Sequence, residues 1–289
     1  MSRLKERSSQ FNYMPDSQEG NRNRRSVPLV DPIPNESAAI TQISGETALV
    51  IADYHAGIER GLRYERGVEL DSNASHRRTR LRQLLKDTDP DRLIFLGDVG
   101  HSIGNPGSVE TTEVRTLLKM VLGQVPVTLV RGNHDSELLV DIDTDSLDAE
   151  HSLRTTSPHG TTLGNVGFIH GHTWPDRSLL EADRICMGHE HPNVRLSDTV
   201  GGGRKKKAWV RGELTLSGLT AHFAELDYTH PDQLPELIIF PAFNTRSGGT
   251  AVNHNPDTFL APYLPSCLDT TATEAYLLDG TRLGPYHQV

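Results

Sequence analysis

Short apolar runs alternate along the chain with longer segments of mixed polarity from Thr47 onward. Each run has the length of a strand and leads into glycine, asparagine, aspartate or histidine, a pattern that predicts β-strands. The clearest runs are ALVIADYH (48–55), RLIFLGD (92–98), VPVTLVRGNHD (125–135), VGFIHGH (166–172) and RICMGHEH (184–191). We therefore expect a fold built around β-structure.

The segments between the first three runs have helical periodicity. They are HRRTRLRQLLKD (76–87), with leucines at 81, 84 and 85, and VETTEVRTLLKMVLGQV (109–125), which leads through Gly123 to the next strand. Strand, crossover helix and strand in succession predict a mostly parallel sheet and an α/β fold for this part.

Strand signals become weaker after residue 200 but do not disappear. The segments are KAWVRGELTL (207–216), PELIIFPAF (235–243) and EAYLLDGTRLG (274–284). The last predicts a hairpin that turns at Asp279-Gly280. Together these segments indicate a second sheet.

Residues 1–36 have a different composition, rich in Arg, Ser, Asn and Pro and poor in branched apolar residues. Such a segment cannot bury enough apolar surface to fold, and we expect a disordered tail. Its basic cluster, Arg22 to Arg25, has two interpretations: phosphate contact, or a solvated tail without a partner.

Composition narrows the class of protein. A net charge of −9 argues against a broad basic surface for nucleic acid, although metal ions would add local positive charge. Cys186 and Cys267 are too few and too far apart for a disulfide framework or a thiolate metal site. Without a long apolar run or a signal peptide, we expect a cytoplasmic protein that does not cross a membrane.

The candidate chemistry lies where the predicted strands end. The motifs there are Asp53-x-His55, Gly97-Asp98, Gly132-Asn133-His134-Asp135, His170-Gly171-His172 and Gly188-His189-Glu190-His191. In open α/β sheets ligands bind at the carboxyl ends of strands, where successive loops converge. On an extended chain, the rings of His189 and His191 would also point the same way.

Histidine, aspartate and asparagine together offer the mixed nitrogen and oxygen donors that suit Mn, Fe, Zn or Ni. One ion rarely takes seven such ligands. Two ions roughly 3.5–4 Å apart that share one carboxylate would use all of them and leave room for a phosphate. A chance pairing of histidines is the simpler alternative for the HxH motif alone, but not for five motifs in order.

These motifs, DxH, GD, GNHD, HG and GHxH, resemble those of the calcineurin-like metallophosphoesterase superfamily over residues 47–192. Within it, GHEHP (188–192) and PAFNTRSGG (241–249) resemble the archaeal SbcD-related and the bacterial DNA-ligase-associated phosphoesterases. The resemblance implies a single domain over residues 37–289, folded as a sandwich of two mixed β-sheets flanked by helices.

The resemblance also implies a binuclear site and a role for each residue. Two divalent transition-metal ions are expected, manganese before iron, zinc or nickel. One would be held by Asp53, His55 and His191, the other by Asn133, His170 and His189, with Asp98 bridging them. His134 would protonate the leaving oxygen while a bridging hydroxide attacks phosphorus.

The function expected from this resemblance is hydrolysis of phosphate esters, with a phosphodiesterase of nucleic acid or nucleotides as the first hypothesis. Its partners would be a DNA or RNA substrate and a DNA-repair protein, and the sequence indicates no oligomeric state. Two alternatives stay open: a non-catalytic scaffold in a repair or RNA-processing complex, and a phosphomonoesterase of small metabolites.

Several residues have a weaker case. His101 could orient His134 or contact phosphate, or have no role, and Arg131 could bind substrate or simply face solvent. His172 could line the pocket, with Trp174 as an apolar wall or base-stacking surface, or simply pack under the loop. The segment GGGRKKKAW (201–209) could hold a nucleic-acid backbone or form a solvated hairpin tip. Asn244 and Arg246 lie in a predicted turn of unknown distance from the metals.

Overall fold

The first of two sheets contains the parallel strands expected from the sequence. The structure is a computed structural model that describes residues 29–138, 147, 149–197, 202–223, 226, 234–254 and 258–289. Within these residues the sheet consists, in spatial order, of β1 (Val30–Pro32), β2 (Ala38–Ile43), β3 (Glu46–Ile51), β4 (Arg92–Phe95), β5 (Val127–Val130) and β6 (Leu153–Thr156). Strands β3 to β6 are parallel, whereas β1, β2 and β3 pair antiparallel.

The second sheet is mixed as well. Its strands are β7 (Thr161–Leu163), β8 (Val166–Ile169), β9 (Arg184–Met187), β10 (Asn193–Ser197), β11 (Gly203–Glu213), β12 (Glu236–Ile239), β13 (Glu274–Leu277) and β14 (Arg282–Pro285). The described order is β14-β13-β11-β12-β9-β8-β7, with β10 paired to β11. Strands β8, β9 and β12 run parallel, and β13 and β14 form the predicted hairpin. The prediction of two mixed sheets is confirmed.

The two sheets pack face to face. Val50 and Ile94 of the first sheet meet Phe168, Trp209 and Phe240 of the second in one buried cluster. Strands buried on both faces have continuous apolar sequences rather than alternating ones, which is why they were visible in the sequence.

Helices cover the outer face of the first sheet. The described helices are α1 (Ile58–Arg66), α2 (Ala74–Thr88), α3 (Ser108–Leu122) and the short α4 (Leu216–Thr220), with 3₁₀ turns at Arg177–Glu181 and Tyr286–Gln288. Leu81 and Leu85 of α2 pack with Leu117 and Leu118 of α3 against the sheet, as the helical spacing predicted. No helix among the described residues combines the length and apolar character needed to cross a lipid bilayer.

The boundary predicted for the N-terminal tail is wrong for its last residues. Val30–Pro32 pairs with β2, the Val30 side chain is buried, and Glu36 forms an ion pair with Arg80 of α2. Backbone pairing at a sheet edge holds this segment although it has few apolar residues. Residues 1–28, including the Arg22 to Arg25 cluster, lie outside the described residues.

Candidate metal centre

All predicted site residues meet at one edge of the sandwich. The loops that follow β3, β4 and β5 bring Asp53, His55, Asp98, Asn133 and His134 from the first sheet, and those after β8 and β9 bring His170, His189 and His191 from the second. The site therefore lies between the two sheets, at the carboxyl ends of their parallel strands.

Three of these side chains form cluster 1, which comprises Asp53, His55 and His191. Their ligand atoms lie within 4.8 Å of one another. The Nε2 atom of His191 is 3.2 Å from Oδ1 of Asp53 and 3.2 Å from Nε2 of His55. Two imidazole nitrogens and a carboxylate oxygen that converge in this way suit a transition-metal ion.

A second set, cluster 2, comprises Asp98, His170 and His189, again with ligand atoms within 4.8 Å of one another. The Nε2 atom of His170 lies 3.3 Å from Oδ1 of Asp98 and 3.2 Å from Oδ1 of Asn133. The Asn133 amide oxygen therefore faces the ligand nitrogen of His170, where it could join cluster 2 in holding an ion.

Asp98 faces both clusters. While its Oδ1 atom contacts His170, its Oδ2 atom lies 4.0 Å from Nε2 of His55. The carboxylate is buried, and its two oxygens point to different histidines. This is the arrangement that a carboxylate shared by two ions requires.

Backbone carbonyls orient the histidine rings. The Nδ1 atoms of His55, His170 and His191 lie 3.2, 2.7 and 3.0 Å from the carbonyl oxygens of Gly100, Leu96 and Gly248. When Nδ1 donates to a carbonyl, Nε2 keeps its lone pair for a metal, as in most histidine metal sites. The residues present therefore fit a pair of transition-metal ions.

The loops that carry the ligands turn sharply. Asp53, His55, Asp98, His189 and His191 all have positive φ angles, between 46° and 70°. The two histidines of GHEH are therefore not on an extended chain, contrary to the expectation, and they join different clusters. Non-glycine residues in this region are uncommon and concentrate at functional sites.

Residues 47–211 match the model of the calcineurin-like phosphoesterase family. The chain belongs to this family. It is accordingly a metal-dependent phosphoester hydrolase, and enzymes of this family use a binuclear metal site.

Two solved structures are similar to this phosphoesterase. Nuclease MPE from Pseudomonas putida has a TM-score of 0.50 and 20% identity, and the match covers 88% of this chain and 100% of that one. The phosphoesterase YfcE from E. coli has a TM-score of 0.31 and 21% identity, and the match covers 52% of this chain and 73% of that one. At 20% identity the first likeness is one of fold. No curated protein matches the sequence, and the narrower SbcD-related assignment stays a prediction.

Asp135 fixes the loops of the phosphoesterase that carry Asp98 and His134. Its buried carboxylate accepts hydrogen bonds from the backbone N–H groups of Asp98, Val99 and Gly132, at 2.8, 2.9 and 2.8 Å. Gly132 has to be glycine, since a Cβ there would lie 2.1 Å from Oδ1 of Asp98. Asp135 is the last residue of the GNHD motif, but no role for it was predicted from the sequence.

Asn244 holds the loop of Asp53 and His55 rather than a metal. Its side-chain amide donates to the carbonyls of Tyr54 and His55, at 2.9 and 3.2 Å, and its backbone N–H donates to that of Asp53. The Asn244 carbonyl accepts in turn from Nζ of Lys207, at 2.5 Å. Burial lowers the pKa of Lys207 to about 7.

Glu190 holds the loop that carries His189 and His191. Its buried carboxylate accepts from the backbone N–H groups of Leu260 and Ala261, at 2.8 and 2.7 Å, and from the Thr250 hydroxyl. Glu190 thereby ties the loop of His189 and His191 to the segment after residue 258.

His134 turns its Nε2 atom toward the metal pocket. Nδ1 is hydrogen-bonded to the carbonyl of His101, the backbone N–H donates to Oδ1 of Asp98, and Nε2 lies 3.6 Å from Oδ2 of Asp98. The ring of His101 stacks on that of His134, with centroids 5.8 Å apart. Neither ring nitrogen of His101 has a hydrogen-bond partner among the described residues.

His172, Trp174 and Arg131, the weaker candidates from the sequence, have different surroundings. The His172 ring is 5.3 Å from that of His170, at the pocket. Trp174 stacks on His222 at 3.9 Å and packs on the second sheet. Arg131 donates to the Thr156 carbonyl, away from the clusters.

Arg246 and most of the basic run have contacts with other parts of the chain. Arg246 donates to the Asp71 carbonyl and pairs with Glu59. In the run 204–207, three side chains are exposed on β11 and only Lys207 is turned inward. Cys186 is a buried core residue.

Charge in the pocket changes the titration of its histidines. Burial lowers the pKa of His55 to about 3. Burial also opposes a charge on His170, but the carboxylates of Asp98 and Asp53 outweigh it and raise the pKa of His170 to about 10. Without metal, a proton on His170 therefore compensates the buried carboxylates, and a bound cation would replace it.

Proposed function

We propose that this phosphoesterase cleaves phosphodiester bonds in nucleic acids or nucleotides with two divalent transition-metal ions, manganese first among them. Cluster 1 would hold one ion, and His170, His189 and Asn133 the other. The observation that carries the proposal is the buried Asp98 carboxylate, whose two oxygens face histidines of different clusters. We assign Asp98 as the shared ligand.

Two such ions, when bound, lower the pKa of water and neutralise the charge of a phosphate group. The chain's own residues then set the geometry. Asp98 keeps the two sites next to each other, and the carbonyl contacts of His55, His170 and His191 keep their Nε2 atoms directed into the pocket.

His134 is assigned as the proton donor. Because its Nδ1 is hydrogen-bonded to the His101 carbonyl, its Nε2 is the atom that can carry a proton to the leaving oxygen. Side-chain exposure of 18% places the ring at the open side of the buried clusters, where a substrate can reach it.

A phosphodiester is the first class of substrate to test, because a nuclease, MPE of Pseudomonas putida, shares the fold over its whole length. Metal-stripped protein would be reloaded separately with Mn, Ni, Zn and Mg. Hydrolysis of bis-nitrophenyl phosphate and of nitrophenyl phosphate would then be compared.

Metal-dependent cleavage that favours the diester is the expected result. Preference for the monoester would instead favour a phosphomonoesterase of small metabolites. Two bound ions with no cleavage of either ester would contradict the proposal and favour a scaffold.

A further inference from the structure

Exposed apolar side chains concentrate around helix α1. Among the described residues, seven large hydrophobic side chains are exposed. Tyr64, Val68 and Leu70 lie on α1 and the segment after it, and Ile103 and Val109 lie just before and at the start of α3. Scattered exposed hydrophobics need no explanation, but a group of this kind commonly marks an interaction site.

Helix α1 and the segment of residues 101–109 form one surface. The His101 ring packs on Gly61 so closely that a Cβ there would lie 2.4 Å from it. The guanidinium of Arg60 lies over Gly107, where a Cβ would be 2.5 Å from Nη1. The exposed side chains of both segments therefore belong to a continuous face.

This face adjoins the metal centre. His101, which packs on Gly61, stacks on His134 with ring centroids 5.8 Å apart. Tyr64 lies about one helical turn beyond Gly61. A polymer with one phosphate at the metal centre could therefore continue past His101 onto this face.

Arginines outnumber acids on this part of the face, since residues 60–70 contain three arginines against Glu65 and Glu69. Arg60, Arg63 and Arg66 are exposed on α1, and Cζ of Arg60 lies 5.5 Å from the centroid of the Tyr64 ring. The Tyr64 residue is 73% exposed. Glu69 pairs with Arg63 at 3.2 Å, but both side chains are mostly exposed, and such pairs are weak.

The acids beneath the face are already compensated. Glu59 and Glu113 lie at the floor of a groove of about 320 Å³ that Arg60, Tyr64 and Leu70 help to line. Both carboxylates are hydrogen-bonded to the buried guanidinium of Arg77. Glu59 pairs with Arg246 as well, so both buried carboxylates are held by arginines.

We propose that this face, the Tyr64 surface (Arg60, Arg63, Tyr64, Leu70 and Val109), binds single-stranded nucleic acid beside the metal centre. A base stacks on the Tyr64 ring, and phosphates contact Arg60 and Arg63. An unpaired strand fits because its bases are free to stack on an aromatic ring, whereas those of a duplex are not. The proposal rests on the proposed function, since it extends the substrate from the same site.

Binding can be measured without cleavage. Fluorescence anisotropy with a short single-stranded DNA in the presence of chelator would give Kd for the wild type and for Tyr64→Ala, Tyr64→Phe and Arg60→Ala/Arg63→Ala. We expect Kd to rise about tenfold for Tyr64→Ala and to stay near the wild-type value for Tyr64→Phe. The arginine variant should also reduce the salt dependence of Kd, by about one in log–log slope per lost phosphate contact.

Leu29→Ala is the matched control, because Leu29 is 71% exposed and directly precedes β1 rather than lying on α1. If Tyr64→Ala binds the strand as tightly as Leu29→Ala does, the proposal is overturned. The exposed face would then be explained by a protein partner instead. If the wild type binds no single strand, the proposal is overturned as well. Hydrolysis of bis-nitrophenyl phosphate by the wild type tests the proposed function separately, so the two failures are distinguishable.

Discussion

The Nε2 atoms of His55 and His191 lie 3.2 Å apart, although 136 residues separate them in the chain. His55 follows a strand of the first sheet and His191 a strand of the second. Each ring is fixed by a carbonyl on its far side, that of Gly100 or Gly248. Formation of this half of the centre therefore depends on the docking of the two sheets.

Replacing Asp98 by asparagine should lower the metal content of the centre. An amide has one oxygen acceptor and no charge, so it cannot serve both clusters. We expect fewer than two ions per chain after dialysis against Mn, measured by mass spectrometry of the metal, and more than about a hundredfold loss of diester hydrolysis. Asp87→Asn, which changes an exposed carboxylate on α2, should behave like the wild type. Two bound ions and normal turnover in Asp98→Asn would remove the shared-ligand assignment.

His134→Ala should separate chemistry from metal binding. His134 is outside both clusters, so metal content should stay at two ions per chain. Turnover should fall by about 10²–10⁴ on esters with poor leaving groups, which need protonation, and much less on a nitrophenyl diester. The measurement is kcat across a series of leaving groups, with the exposed His76→Ala as control. An equal loss across the series would contradict the proton-donor role.

Stability should respond to pH in opposite directions with and without metal. In the metal-free protein, burial and the stronger effect of the Asp98 carboxylate set the pKa of His170 at about 10. A raised pKa stabilises the fold fully below about pH 6.5 and loses that effect as pH rises through about 10. We expect His170 to contribute up to about 5 kcal/mol of this loss in free energy of unfolding.

Urea unfolding in chelator, for the wild type and His170→Gln, would isolate this contribution as the difference between the two pH profiles. With saturating Mn the wild type should instead gain stability with pH, because a metal binds only the neutral ring. Parallel profiles of the two proteins in chelator would refute the role of His170.

Asn244→Ala should weaken the centre from outside it. The variant leaves the carbonyls of Tyr54 and His55 without the donor that they share, at a cost of about 1–3 kcal/mol in free energy of unfolding. The loop of His55 should then hold its ion more weakly, by about tenfold or more in metal affinity. Denaturant titration and metal titration measure the two effects. Asn165→Ala removes an exposed amide as control, and metal affinity lowered equally in both variants would argue against a positioning role.

The sequence predicts those features that depend on residues close together in the chain. Strands buried on both faces appear as apolar runs, and their ends carry the ligand types, so the two-sheet fold and the convergence of the ligand residues were predictable. Helix α1 was not, because its sequence IERGLRYER is polar and contains Gly61, and the helix buries only Ile58 and Glu59.

The residues that position the ligand loops could not be predicted from the sequence, for a different reason. Asn244 acts on backbone atoms that precede it by 189 and 190 residues, and no periodicity connects the two segments. The turn at GHEH was also unpredictable, since a positive φ at His189 and His191 depends on contacts such as those of Glu190.

Each cluster draws its donors from both sheets, which divides the centre between two parts of the chain. A cut in the turn between β6 and β7, residues 157–160, would leave Asp53, His55, Asp98 and Asn133 on one fragment. The other fragment would keep His170, His189 and His191. Neither fragment alone would contain all the predicted ligands of either cluster. Tight metal binding would therefore show that the two fragments have reassembled.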